Sequence, residues 1–377
     1  MSNIVLNRRS LIASGFTGLA ISAAFPKMAW AAAGTDRRFV FIIQRGAADG
    51  LSVLAPTGDP DFARVRSAFV ADAATGAKLD SLFTLHPAML ETAKMYAAKQ
   101  ASFAHAIASG YRERSHFDAQ NVLESGAMKP YGRDDGWMNR LLSLLPPPQA
   151  KAIAVSPSVP LVLRGPVKVN SYEPSRLKGA NDDLMQRVSL LYEEDAVLAP
   201  LWAGALQTED MAMVPDGAMR GGMAVGKMAA GLMTGADGAR ILMLETGGWD
   251  THSGQKGRLN GQLKELDALI ATLKAGLGAD WNNTLVLVAT EFGRTVAVNG
   301  TDGTDHGTAS AAMLYGGALA KGGSIMADWP GLAAAKLYEA RDLRPTMRFE
   351  DLVSGALAAH YAIEPGKLKR TIFPDFA

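Results

Sequence analysis

Short runs of β-forming residues alternate with amphipathic stretches along most of this chain, and several of the runs end in a tight polar loop. Arg38-Phe39-Val40-Phe41-Ile42-Ile43-Gln44 is such a run, followed by Arg45-Gly46-Ala47-Ala48-Asp49-Gly50. The runs 101–108, 152–155, 161–163, 239–245, 283–290 and 311–315 read as further strands. Between them, 87–100, 115–124, 261–276 and 352–361 carry helical spacing; in 261–276 the apolar residues fall at 263, 266, 269, 270 and 273. Strands that are apolar throughout and alternate with helices predict an α/β fold. Its central sheet is mostly parallel, with helices on both faces. The stretch 165–236 is rich in Met, Ala, Gly and acids and predicts a helical insertion.

Composition narrows the chemistry. The chain has 377 residues, with Lys+Arg 38 against Asp+Glu 37, so no basic field is available to hold a nucleic-acid backbone. Cysteine is absent, which excludes disulfides, thiolate metal sites and a cysteine nucleophile. Any metal must sit on imidazole, carboxylate, hydroxyl, carbonyl or water.

The first 33 residues read as an address rather than as fold. Arg8-Arg9 leads into an apolar stretch from Leu11 to Phe25, then Pro26-Lys27 and a small-residue segment ending at Ala31-Ala32-Ala33. The apolar stretch is shorter than the roughly 20 residues that span a bilayer. The segment resembles a twin-arginine (Tat) signal peptide, which implies export to the periplasm or beyond and a folded passage through the Tat translocase. Residues 34–377 are then the mature domain, and no later segment reads as membrane-inserted.

In a parallel α/β sheet, ligands gather beyond the C-terminal ends of the strands. Asp49 follows the first strand. Arg112, Arg114, Ser115 and His116 follow the second. Asp250 and His252 follow 239–245, Glu291 and Arg294 follow 283–290, and Asp305-His306 sits in a Gly-rich loop soon after. Asp250, His252, Glu291, Asp305 and His306 are oxygen and nitrogen donors that suit Zn²⁺ or Mn²⁺, with Mg²⁺ and Ca²⁺ as harder alternatives. The other three of the six histidines, His86, His105 and His360, lie at a helix start, inside a strand and inside an apolar helix. Ser115 fits two descriptions. With Asp118 three residues on it reads as a helix capping box. Beside Arg112, Arg114 and a metal it reads as a nucleophile toward a phosphoryl or sulfuryl centre.

Together, Arg45–Gly50, Arg114-Ser115-His116-Phe117-Asp118-Ala119-Gln120, Asp135-Gly136-Trp137-Met138-Asn139-Arg140, Gly248–His252, Thr290–Thr295 and Thr304–Gly307 resemble the bacterial DUF1501 proteins. These are grouped with the alkaline phosphatase/sulfatase superfamily. The resemblance implies an alkaline-phosphatase-like three-layer sandwich and an exported metal-dependent hydrolase acting on a small-molecule or polymer phosphate or sulfate ester. It implies Ser115 as nucleophile with Arg114 and His116 beside it, and Asp49, Asp250, His252, Glu291, Asp305 and His306 around metal. Arg112 and Arg294 would hold ester oxygens. One departure stands out. Where the superfamily places an Asp-His pair, this chain has Glu291-Phe292, and phenylalanine cannot coordinate. That substitution also admits a non-catalytic binding or assembly protein that keeps the fold and one structural metal.

Overall fold

The computed structural model describes residues 36–173, 182–212 and 221–377. The twin-arginine segment lies outside the described residues. A nine-stranded sheet forms the centre. Its strands are β1 (Arg38–Gln44), β2 (Ala101–Ala108), β3 (Ala152–Val155), β4 (Asn170–Tyr172), β5 (Ile241–Thr246), β6 (Thr284–Thr290), β7 (Ser310–Tyr315), β8 (Ile325–Met326) and β9 (Met347–Arg348). The order is β8-β2-β7-β6-β1-β5-β3-β4, with β9 also paired to β2. All pairings are parallel except those of β7, which runs antiparallel to both β2 and β6.

Both faces of the sheet are covered, as strands apolar at every position require. Phe39, Phe41 and Ile43 of β1 point into one core with Trp137, Leu141, Phe349 and Leu357. Val40 and Ile42 point into the other with Leu232, Leu263, Leu266 and Ile270. The first core is closed by α2 (His116–Ser125), α3 (Trp137–Leu142), α8 (Phe349–Tyr361) and α9 (Pro365–Ile372). The second is closed by α1 (Leu90–Ala97), α6 (Gly222–Met233) and α7 (Gln255–Leu277). The result is a three-layer α/β sandwich with a mostly parallel sheet.

Two local expectations are corrected. Residues Leu161–Leu163 form a 3₁₀ turn rather than a strand. The Leu163 N–H bonds back to Pro160 and the Val162 N–H goes to the Glu124 carboxylate, so neither is left for a ladder. The helix expected over 87–100 is only Leu90–Ala97, because His86 and Pro87 open a turn and Lys99 adopts φ 58°. The stretch 165–236, expected to be a helical insertion, first supplies β4 to the central sheet and then carries α4 (Asp182–Tyr192), α5 (Leu198–Ala212) and α6. Of these, α6 belongs to the covering layer. Its Met228, Ala229, Leu232 and Met233 are buried, and a Cβ at Gly222 would run into the Glu265 carbonyl of α7.

Glu350, in the first turn of α8, is 1% exposed and one of its carboxylate oxygens has no partner among the described residues. Burial pushes its pKa up to about 7. Between about pH 4.5 and 7 the unfolded chain ionises this group while the folded chain keeps it protonated, so stability falls as pH rises through that window. Above pH 7 the cost levels at about 3 kcal/mol. Glu350→Gln should therefore raise the unfolding free energy at pH 8 by roughly that amount and by little at pH 5. Urea unfolding at the two pH values checks this; an equal gain at both would refute it.

Candidate metal centre

The C-terminal ends of β1, β2, β5 and β6 and the loop entering β7 meet at one edge of the sheet. There the side chains of His116, Asp250 and His306 each offer a ligand atom, all within 4.8 Å of one another. His116 Nε2 lies 2.9 Å from His306 Nε2. His252 Nε2 lies 3.0 Å from His306 Nε2 and 3.0 Å from Asp250 Oδ1. His306 Nε2 is 3.2 Å from Asp250 Oδ1, and His116 Nε2 is 3.6 Å from Asp250 Oδ2.

The opposite nitrogen of each ring fixes what these atoms are. His116 Nδ1 is 2.8 Å from Glu291 Oε1, His252 Nδ1 is 3.1 Å from Asp305 Oδ1, and His306 Nδ1 is 3.1 Å from the Arg114 carbonyl. An ionised carboxylate and a carbonyl only accept, so each Nδ1 carries the proton and donates it. Each Nε2 is then a lone pair in the neutral ring. Lone pairs facing each other at 2.9–3.0 Å repel unless a cation, or a proton borne by one ring, lies between them. One divalent ion held by His116, Asp250 and His306 would relieve the contact between His116 and His306. Carboxylates behind imidazoles are also the arrangement that orients histidine ligands and raises their basicity. The donor set fits a metal of the zinc or manganese kind.

The surroundings are held as rigidly. Glu291 is 2% exposed and also accepts from the Gly46 N–H (2.8 Å), Gln120 Nε2 (3.1 Å) and Thr290 Oγ1 (2.8 Å). Burial opposes its ionisation, but the hydrogen bonds from His116, Gln120 and the Gly46 N–H bring its pKa below the usual carboxylate value. Gly46 takes φ 116°, and a Cβ there would meet the Asp250 N–H at 2.7 Å, so this tight loop needs glycine. The hydrogen bond to Glu291 raises the His116 pKa, whereas burial and then the neighbouring His116 lower that of His306. Arg294, 1% exposed, donates to Asp250 Oδ1 at 2.5 Å and to Thr304 Oγ1 at 3.2 Å. Burial opposes Asp250 ionisation, yet this guanidinium keeps its pKa low.

Several expected site residues have other partners. Asp49 lies in a separate, fully buried cluster. Its Oδ2 accepts from Arg66 Nη1, from Ser52 Oγ at 2.7 Å and from Gln255 Nε2 at 2.5 Å, and its Oδ1 accepts from Arg66 Nη2 at 3.0 Å, so the carboxylate is engaged by Arg66 rather than turned to the histidines. Glu291 and Asp305 stand behind histidines instead of among the facing donor atoms. Arg294 is the counter-ion of Asp250. Arg114 is turned to Asp342 (2.9 Å) and Glu339 (2.5 Å), and Arg112 to the carbonyls of its own loop, Ser109 and Tyr111. These three arginines, of which Arg112 and Arg294 were expected at ester oxygens, are thus engaged with partners inside the protein. Ser115 is the N-cap residue of α2, but its side chain makes no cap hydrogen bond. His116, expected to act in catalysis, stands among the facing donor atoms of the cluster. Nothing in its spacing gave that role; only the folding of α2 against the loop 303–309 does. Phe292 stacks on His116 with ring centroids 4.9 Å apart and is 5% exposed among Ala47, Tyr111, Ala119 and Val122.

The family model described as "Protein of unknown function (DUF1501)" matches residues 36–366. The chain belongs to the DUF1501 family. A comparison with curated proteins finds no match. Among solved structures, the chain is similar to the zinc complex of the C-terminal periplasmic domain of EptC from Escherichia coli, at 9% identity and TM-score 0.39, covering 75% of this chain and 74% of that one. It is similar to alkaline phosphatase from the Antarctic bacterium TAB5, at 13% identity and TM-score 0.37, covering 77% and 94%. The PsFucS1 sulfatase from Pseudoalteromonas sp. gives 13% identity and TM-score 0.36, covering 85% and 68%. At this overlap the likenesses carry no argument about chemistry, which rests on this DUF1501 protein's own residues.

Glu291→Gln keeps an acceptor oxygen near His116 and removes the charge behind the ring. It should weaken metal binding about 10–100-fold with the fold intact. Competition with a chromogenic chelator reads this directly, and an unchanged dissociation constant would exclude Glu291 as the orienting group.

Proposed function

We propose that this DUF1501 protein is an exported, metal-dependent hydrolase of phosphate or sulfate esters that works with a single divalent ion, delivered through the Tat pathway. The observation that carries the reading is the convergence of the Nε2 atoms of His116, His252 and His306 beside Asp250. His116, His306 and Asp250 would hold the ion, with His252 alongside. Once bound, it supplies Lewis-acid stabilisation of negative charge on an ester oxygen. Glu291, Asp305 and the Arg114 carbonyl hold the rings in their tautomers. Arg294 keeps Asp250 ionised. Ser115 sits between Arg114, which orients His306, and His116 itself, with its hydroxyl unused as a cap. It is the nucleophile in this reading. With the arginines engaged elsewhere, the uncapped N–H groups opening α2 are the donors left for an ester anion.

The test is turnover of aryl phosphates and aryl sulfates by metal-loaded protein and by Ser115→Ala. The expected result is a fall of at least about 10³-fold in kcat with metal content retained. A second reading is favoured by Arg112, Arg114 and Arg294 all having protein partners: a binding or assembly protein whose single ion is structural. Wild-type protein that holds stoichiometric metal, loses thermal stability on chelation and turns over no ester would replace the first reading with the second.

A further inference from the structure

A sizeable cavity lies far from the histidine cluster. It is a cleft of about 390 Å³ at the opposite end of the sheet, beside the start of β6 and the end of β7. Leu285, Leu314, Leu319, Met326, Met347 and Leu352 give it an apolar lining. One wall is α8, whose Gly355, Ala356 and Ala359 are too small to fill the space; a Cβ on Gly355 would meet nothing within 4 Å. The other wall is the loop 317–321, which brings Lys321 to the cleft.

The charges at this cleft are unequal. Asp351 is paired with Lys369 at 2.8 Å. Lys321 is exposed and has no ion-pair partner among the described residues; only its backbone carbonyl is used, by Ser324. His360 adds no charge, since burial lowers its pKa to about 3. An apolar slot of ligand size with one uncompensated cation beside it suits a molecule with an apolar tail and one negative charge at its end.

We propose that this cleft is a binding site for a single-chain amphiphile with a monoanionic head, a free fatty acid in chemical class. Its acyl chain would lie along α8 and its carboxylate would face the Lys321 ammonium. The site is independent of the metal centre.

The test is calorimetric titration of metal-loaded protein with dodecanoate below its micelle concentration, with dodecanol as the uncharged control. Wild type should bind dodecanoate with one site, and decanoate about tenfold more weakly, as loss of two buried methylenes requires. Lys321→Glu should weaken dodecanoate at least tenfold and leave dodecanol unchanged. Ala356→Phe, which fills the slot, should abolish both while metal content stays at the wild-type level. Absence of dodecanoate binding to wild type, or equal binding by Lys321→Glu, would overturn the proposal. So would binding to phosphatidylglycerol vesicles in the absence of binding to the monomeric fatty acid, since that result describes a membrane surface instead.

Discussion

Replacing Arg66 with methionine should lower the unfolding free energy by about 3–5 kcal/mol, because it strands the Asp49 carboxylate as an uncompensated buried charge. Arg66 and Asp49 are both fully buried, and Arg66 also donates to the carbonyls of Thr295 and Val296 at 2.7 Å each. The substitution therefore removes the bonds that tie the loop after β1 to the segment after β6, the two loops that carry Gly46 and Arg294. The double variant Asp49→Asn/Arg66→Met should recover a good part of the loss, since Ser52 and Gln255 can still bond the amide and no charge is left buried. Denaturant unfolding of both variants gives the numbers. The pair also separates two roles for Asp49. As an internal anion it can be neutralised without loss of metal; as a ligand it cannot. A double variant that folds but no longer binds metal would return Asp49 to the metal site.

The second large effect concerns His306. Its Nε2 is the atom closest to the other donors, within 2.9–3.2 Å of His116, His252 and Asp250. Structural zinc sites are worth about 10–16 kcal/mol in total, so one ligand of three or four accounts for about a 10²–10⁴-fold change in affinity. His306→Ala should weaken metal binding by that factor. A thermal shift makes the same point through linkage. At free metal 1,000 times the wild-type dissociation constant, wild type gains about 4 kcal/mol and the variant gains far less. His252→Ala should have a smaller effect, because His252 reaches the cluster only through His306 and Asp250. Equal losses in the two variants would place His252 on the ion as fully as His306.

Much of the architecture was legible in the chain because buried parallel strands announce themselves as uninterrupted apolar runs. β1, β2, β5 and β6 fall within a few residues of where the runs predict them. The edge where the site lies was legible too, since polar clusters follow those same strands. What the sequence could not distribute was the partnership of each charge. Asp49 follows the first strand as a ligand would, but its counter-ion, Arg66, belongs to no motif and meets it only through folding. Glu291 and Asp305 carry the chemistry of ligands, and distance alone puts them one step behind, on the far nitrogens of His116 and His252. His116 read as a neighbour of Ser115, and its approach to His306 spans 190 positions of sequence. Leu161–Leu163 looked like a strand because three apolar residues cannot reveal that their N–H groups are used locally.

The decisive quantity is the metal content of the folded protein after loading with zinc or manganese and gel filtration. The prediction is one ion per chain in wild type and in Asp49→Asn, and none retained in His116→Ala or His306→Ala. Two ions per chain, or one ion kept in His116→Ala, would contradict a single site built on His116, Asp250 and His306.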